Sequence, residues 1–264
     1  MLTEIKSHLQ TSPTGITYLD SKEGDDIYVL LHGISSGAYS WVKQFANAKA
    51  PNRLIAWNAP GYGGSKSLDT ANPIGADYAY ALIEFLDSID IDAPITLVGH
   101  SLGALQAAAF ADRNPQRLKQ LILVNPAQGY ADSNPEKRQE VYAMRPKLLQ
   151  ALGTDGLARE RGPNLLYHKT PFNLEVVYTV TSGITLDGLK DSSYLLANDS
   201  IAHYLPNITV PITLVYGEKD TITPPSGMFS LKERFPFLEL KKVPNAGHLA
   251  YLDEPEVFDE ILFK

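Results

Sequence analysis

One serine, set between glycines, stands where it could act as a nucleophile. Gly99-His100-Ser101-Leu102-Gly103 reads G-x-S-x-G. The chain holds 19 glycines, so the pattern alone is weak and needs its surroundings. Ile95-Thr96-Leu97-Val98 before it has strand character, and Leu102 to Asp112 after it is alanine-rich with high helix propensity. A serine on a sharp strand-to-helix turn has its hydroxyl pushed out at the carboxyl end of a sheet. The flanking glycines permit a tight turn, and the helix N-terminus favours developing negative charge. The bland alternative is that Ser101 only caps the helix.

A neutral hydroxyl is a poor nucleophile without a base. Of six histidines, His248 in Asn245-Ala246-Gly247-His248 follows the last expected strand and returns to the edge that carries Ser101. His32 ends a strand and reads as a turn-shaping residue. His100 adjoins Ser101, so its side chain should point away from the nucleophile. His168 and His203 fall in or near an insert and read as surface or packing residues. The base needs a carboxylate to fix its tautomer. Asp220 follows the run Ile212 to Tyr216, and Glu218 competes with it. Asp220 is preferred because Thr221-Ile222-Thr223-Pro224 can turn a short carboxylate inward. A tetrahedral oxyanion needs donors, and the N–H groups of Ile34 and Leu102 are the candidates. His32, Gly33, His100, Trp41 and Tyr130 are carried as candidates for binding substrate. No residue cluster has metal-ligand spacing, no glycine-rich loop has nucleotide-binding form, and no cofactor is expected.

These residues must be held by strands that alternate with helices. Apolar runs at Gly15 to Asp20, Asp26 to Leu31, Arg53 to Trp57, Ile95 to Val98, Leu121 to Val124, Ile212 to Tyr216 and Leu238 to Val243 read as strands. The first two, separated by Ser21-Lys22-Glu23-Gly24, read as a hairpin. The pattern predicts an α/β fold with a mostly parallel sheet of approximately eight strands and helices on both faces. About 85 residues separate Asn125-Pro126 from the strand near Pro211, too long for a loop. The division expected is a core of residues 1–126 and 208–264 and a helical cap of residues 127–207. Helices are expected at 136–151, 155–166, 174–182 and 187–197. Tyr130, Tyr142, Leu148, Leu166, Tyr167 and Tyr178 of the insert suggest a medium-sized, partly apolar pocket, although most such residues pack elements together. Arg145, Lys147, Arg159 and Arg161 of the insert read as a solvated face, although one of them could meet an anionic substrate.

The order Ser101, Asp220, His248, with His32-Gly33 ahead of it, resembles the α/β-hydrolase fold superfamily. Asn58-Ala59-Pro60-Gly61-Tyr62-Gly63-Gly64-Ser65 is similar to the D-x-P-G-x-G-x-S loop of its capped bacterial branch. Gly217 to Pro224 resembles that branch's G-x-x-D-x-x-x-P segment. The likeness runs from about Gly15 to the C-terminus, with Asn58 standing where the family usually has Asp. A serine nucleophile separates the chain from the dehalogenases and epoxide hydrolases of this fold, which use Asp. The resemblance implies an esterase, a lactonase, a carbon–carbon hydrolase of ring-cleavage products or a cofactor-free haloperoxidase-like enzyme. A small carboxylic ester or lactone is the first expectation and carbon–carbon cleavage the second. A small-ligand receptor on the same fold is the alternative from another class.

Composition bounds the rest. Among 264 residues there is no cysteine, which excludes disulfides and thiolate chemistry. The net charge of −7 argues against nucleic acid or anionic lipid as the main partner. No apolar run is long enough for a signal peptide or a membrane span, so a cytoplasmic monomer or homodimer acting on a small molecule is expected.

Overall fold

The computed structural model describes residues 8–263. The reading of the N-terminal segment for a targeting signal falls on residues 1–7, outside the described residues.

The strands are β1 (Gln10–Thr11), β2 (Thr17–Asp20), β3 (Asp26–Leu31), β4 (Asn52–Trp57), β5 (Ile95–His100), β6 (Leu118–Val124), β7 (Ile212–Gly217) and β8 (Glu239–Val243). They form one eight-stranded sheet in the order β1-β2-β4-β3-β5-β6-β7-β8. The pairs β1–β2 and β2–β4 are antiparallel, and all the others are parallel. The expected α/β architecture is present.

The expected hairpin of the first two runs is not. β2 pairs with β4, Tyr18 opposite Trp57 and Asp20 opposite Ile55. β3 lies beyond β4, between it and β5. Asp20 ties its strand to β4 through both oxygens, bonded to Arg53 at 3.0 and 2.8 Å. The residues between β2 and β3 therefore bridge over β4 rather than turning back. β2 instead makes its hairpin with the short β1, where Gly15 N–H bonds Ser12 O at 2.9 Å.

Side chains alternate between the two faces of the sheet. Val29, Leu31, Leu97, Leu121, Leu123 and Leu214 belong to one buried cluster, packed with Leu82, Phe85 and Leu105 of α2 (Gly75–Ser88) and α3 (Leu102–Arg113). Leu30, Leu54, Val98, Ile122, Val124 and Val215 belong to the other. There they meet Val42 of α1 (Val42–Asn47), Tyr251 of α8 (Ala250–Asp253) and Phe258 of α9 (Pro255–Leu262). The remaining core helix, α7 (Pro225–Arg234), follows β7.

Between β6 and β7 lie α4 (Pro135–Arg161), α5 (Pro171–Ser182) and α6 (Leu186–Asn198). Each starts on a side-chain cap: Asn134, Thr170 and Thr185 accept N–H bonds from Lys137, Asn173 and Gly188. α4 is broken at Gly153, whose φ of 68° and ψ of 179° are not helical. The insert touches the core at several places. Its two ends run side by side, with Ile201 N–H on Gln128 O and Ala131 N–H on Asp199 O. Gly63 N–H bonds Gly183 O at 2.8 Å, and Thr185 Oγ1 bonds Gly61 O at 2.9 Å. Thr181 Oγ1 reaches Ser35 O at 3.2 Å.

Candidate active site

Ser101 sits between the end of β5 and the start of α3 with φ 53° and ψ −115°. A side-chain-bearing residue pays on the order of 1–3 kcal/mol for such a conformation, so its surroundings must hold it there. Ser101 N–H bonds Val124 O at 2.9 Å, and Ser101 O accepts from Ala104 and Ala127. The two motif glycines let α3 come close to the sheet. A Cβ on Gly99 would lie 2.4 Å from Gly103 O, and one on Gly103 2.6 Å from Leu31 O.

His248 lies between β8 and α8. Its Nδ1 is 2.8 Å from Asp220 Oδ2, and both residues are buried. Asp220 is held from several sides. Asn125 Nδ2 and the Thr223 hydroxyl donate to Oδ2, and the N–H groups of Ile222 and Thr223 donate to Oδ1. Glu218, the competing carboxylate, lies at the surface against Lys242 and Lys219. Asn125 and Thr223 carry no signal of their own in the sequence. Both stand in loops where such residues are common for turn geometry alone.

Burial pushes the Asp220 carboxyl upward. The hydrogen bond and charge of His248, with the bonds from Thr223 and Ile222, outweigh it and bring the pKa down to about 2. The group's ordinary value is 3.8. Its contribution to stability is present above that value and is lost as pH falls from about 4 through about 2. The loss amounts to about 2 kcal/mol. Urea midpoints of the wild type should therefore fall more steeply below pH 4 than those of Asp220→Asn. Parallel curves would contradict the assignment.

Ser101, His248 and His100 line one cavity, roofed by Arg145, Leu157, Arg161, Val176, Val177 and Val180 of the insert. A second, more open cavity adjoins it, lined by Leu102, Gln128, Tyr130, Leu196, Pro224 and Met228. Ile34, Ser101, Arg145 and Ile222 border both. The two are lobes of one site that meet at Ser101, with free space of about 720 and 820 Å3, mouths included. Leu102 opens α3, where its N–H has no acceptor within the helix.

The other candidates fall in different places. His32 is buried with Nδ1–H on Gly33 O at 2.8 Å, while Nε2 accepts Ala59 N–H at 2.9 Å. Burial lowers its pKa to about 4, which keeps this neutral tautomer. It joins two loops and lines neither lobe. Gly33 lines neither lobe as well. A Cβ there would come within 2.9 Å of the Ser101 Cβ and 3.0 Å of His100 Nδ1, so glycine leaves room for those side chains. Trp41 is fully buried, stacked on Tyr251 at 4.0 Å, behind His100 rather than in the cavity. His100, expected to point away, lines the inner lobe. Its Nε2–H donates to His248 O at 2.9 Å and its Nδ1 faces Tyr251 OH. Burial and the neighbouring His248 push its pKa well down. Tyr130 lines the outer lobe. His168 pairs with Glu254 and His203 with Asp132, both at the periphery.

Asn58 uses the difference from Asp. Its Oδ1 accepts Ala38 N–H at 2.8 Å, and its Nδ2 donates to Thr17 Oγ1 at 2.9 Å. Thr17 Oγ1 is then free to donate to Gly63 O. A carboxylate could not donate and would claim that hydroxyl proton.

Asp253 is a further residue that the sequence does not mark. Its Oδ2 accepts Tyr167 N–H at 2.9 Å and Gly247 N–H at 2.8 Å, and its Oδ1 accepts His168 N–H at 2.9 Å. Leu249 N–H also bonds Leu165 O. The residues on both sides of His248 are thus tied to the insert. Asp253→Ala strands three N–H groups, so it should cost about 3 kcal/mol in urea unfolding and lower kcat by loosening the histidine loop. A stability loss near zero would contradict this.

Among the described residues no cluster of His, Asp or Glu could hold a metal ion, and no helix is long and apolar enough to cross a membrane.

A serine at a strained strand-to-helix turn, with a carboxylate-bound histidine on the same sheet edge, agrees with the family match. Residues 28–255 match the alpha/beta hydrolase fold family, and the chain belongs to it. It is 27% identical over 94% of its length to a 2-hydroxy-6-oxononadienedioate/2-hydroxy-6-oxononatrienedioate hydrolase of Burkholderia vietnamiensis, 90% of which is covered. Its fold is similar to that of an esterase from Thermogutta terrifontis, with TM-score 0.83, 22% identity and 97% and 95% of the two chains covered. It is similar also to the enol-lactonase from Burkholderia xenovorans LB400, with TM-score 0.81, 18% identity and 97% and 98% covered.

Proposed function

We propose that this chain is a serine hydrolase that cleaves a small to medium, partly apolar carboxylic ester or lactone through an acyl-enzyme. One observation carries the reading: Ser101, strained at the elbow, shares a cavity with a histidine whose Nδ1 is bound to a buried, ionised carboxylate. With Asp220 holding the proton on Nδ1, His248 Nε2 is left as the base. It takes the Ser101 proton as Oγ attacks the carbonyl carbon. The Ile34 and Leu102 N–H groups receive the oxyanion. The imidazolium then protonates the leaving alkoxide. Water, deprotonated by the same nitrogen, attacks the acyl-enzyme and releases the acid. The helices of residues 127–207 act as a cap that shapes both lobes.

Carbon–carbon hydrolysis of a dione acid is a second reading, favoured by Arg145 in the cavity wall. A fluorophosphonate should label Ser101 stoichiometrically, and a panel of aryl esters, lactones and ring-fission acids should show which bond is cleaved. Absence of labelling together with absence of turnover would overturn both readings.

A further inference from the structure

Arg145 and Arg161 stand on opposite sides of the Gly153 break in α4, and both line the inner lobe with Ser101. The sequence suggested a solvated face. The break resets the helix so that both residues border the same space. No carboxylate forms an ion pair with either among the described residues. The charged group acting on Arg145 is Arg161, which repels it, with the Tyr62 and Tyr130 phenols nearby.

Four other cations of the insert have partners: Arg138 bonds Asn198, Lys137 pairs with Glu140, Arg159 with Asp155 and Lys190 with Asp187, while Lys147 and Lys169 are exposed to solvent. Arg145 is half-buried in the cavity wall, and this desolvation together with Arg161 pulls its pKa down to about 10. A buried guanidinium without a counter-ion is a cost to folding. An anion entering the cavity would remove that cost.

We propose that Arg145, seconded by Arg161, binds a carboxylate carried by the substrate away from the scissile bond, so that the site is built for an acid-bearing ester or lactone. The proposal rests on the Ser101 hydrolase reading. A planar guanidinium matches a carboxylate through two parallel bonds. The apolar walls formed by Leu157, Val176, Val177 and Val180 suit a singly charged group on a carbon chain better than a doubly charged phosphate. Arg145 borders both lobes at their junction, so it can select the substrate close to Ser101.

The test compares mono-4-nitrophenyl glutarate with 4-nitrophenyl valerate, its neutral isostere, after subtraction of uncatalysed hydrolysis. Wild type should favour the glutarate at least tenfold in kcat/KM. In Arg145→Met that ratio should fall at least tenfold, chiefly through KM. Arg145→Lys, which keeps the charge and loses the fork, should fall between them. Arg145→Met should also raise the melting temperature, whereas an arginine serving only packing would lower it. A wild-type ratio near one, or a ratio unmoved by Arg145→Met, overturns the proposal.

If wild type turns over neither ester, the hydrolase reading fails and the anchor is judged by calorimetry. Glutarate should then bind Ser101→Ala at least tenfold more tightly than Ser101→Ala/Arg145→Met. Equal affinity overturns the anchor, and tighter binding of inorganic phosphate than of glutarate overturns its assignment to carboxylates.

Discussion

Ser101→Ala is expected to lose turnover of an activated ester by about a millionfold while melting within a few degrees of the wild type. The two halves of this expectation have separate causes. The structural role of residue 101 is carried by its main chain, bonded to Val124, Ala104 and Ala127. Alanine keeps those bonds and the same φ, so the stored strain is nearly unchanged. The chemical role is carried by Oγ alone, and the chain has no cysteine to replace it. Residual rate from the two N–H donors and from binding should survive over the uncatalysed reaction. Steady-state kinetics and scanning calorimetry on one preparation decide it. A variant within tenfold of wild type would remove Ser101 from the mechanism.

Asp220→Asn should lower kcat by about ten thousandfold with a smaller change in KM. The carboxylate can only accept a bond, so the proton stays on Nδ1 of His248 and Nε2 keeps a lone pair. The amide introduced by the substitution can instead donate to Nδ1. That places the imidazole proton on Nε2, which then has no lone pair with which to act as a base. Phosphonate labelling of Ser101 should slow in parallel, since it needs the same proton transfer. A loss of less than tenfold would show that the His248–Asp220 bond is not part of the chemistry.

The sequence revealed some of these parts and hid others for physical reasons. Ser101 and Asp220 each follow a short apolar strand and His248 follows the half-exposed edge strand β8, and strand ends in an open parallel sheet mark where side chains can converge. The partner of β2 differs from the expected one because a turn cluster is local, while the Asp20–Arg53 contact that fixes the pairing is not. Asn125 and Thr223 secure Asp220 with residue types that any loop uses. Arg145 and Arg161 are hidden by α4 itself. Pro146 and the Gly153 break leave no continuous amphipathic period, so no face can be assigned inward. Trp41 and Gly33 are carried from the sequence as candidates for substrate contact. Packing puts one behind His100 and uses the other for clearance.

The contacts beneath the helical insert bear on traffic. It is moored where its ends run side by side, where Gly183 and Thr185 meet the Gly61–Gly63 loop, and where Asp253 grips Tyr167 and His168. With the Thr181–Ser35 bond, the roof is held at more places than its two ends, which opposes a swing about those ends alone. Passage in and out then runs past the exposed side chains Tyr130 and Ile222, which line the outer lobe. Molecules would be sorted by the width of that aperture before any of them reaches the serine.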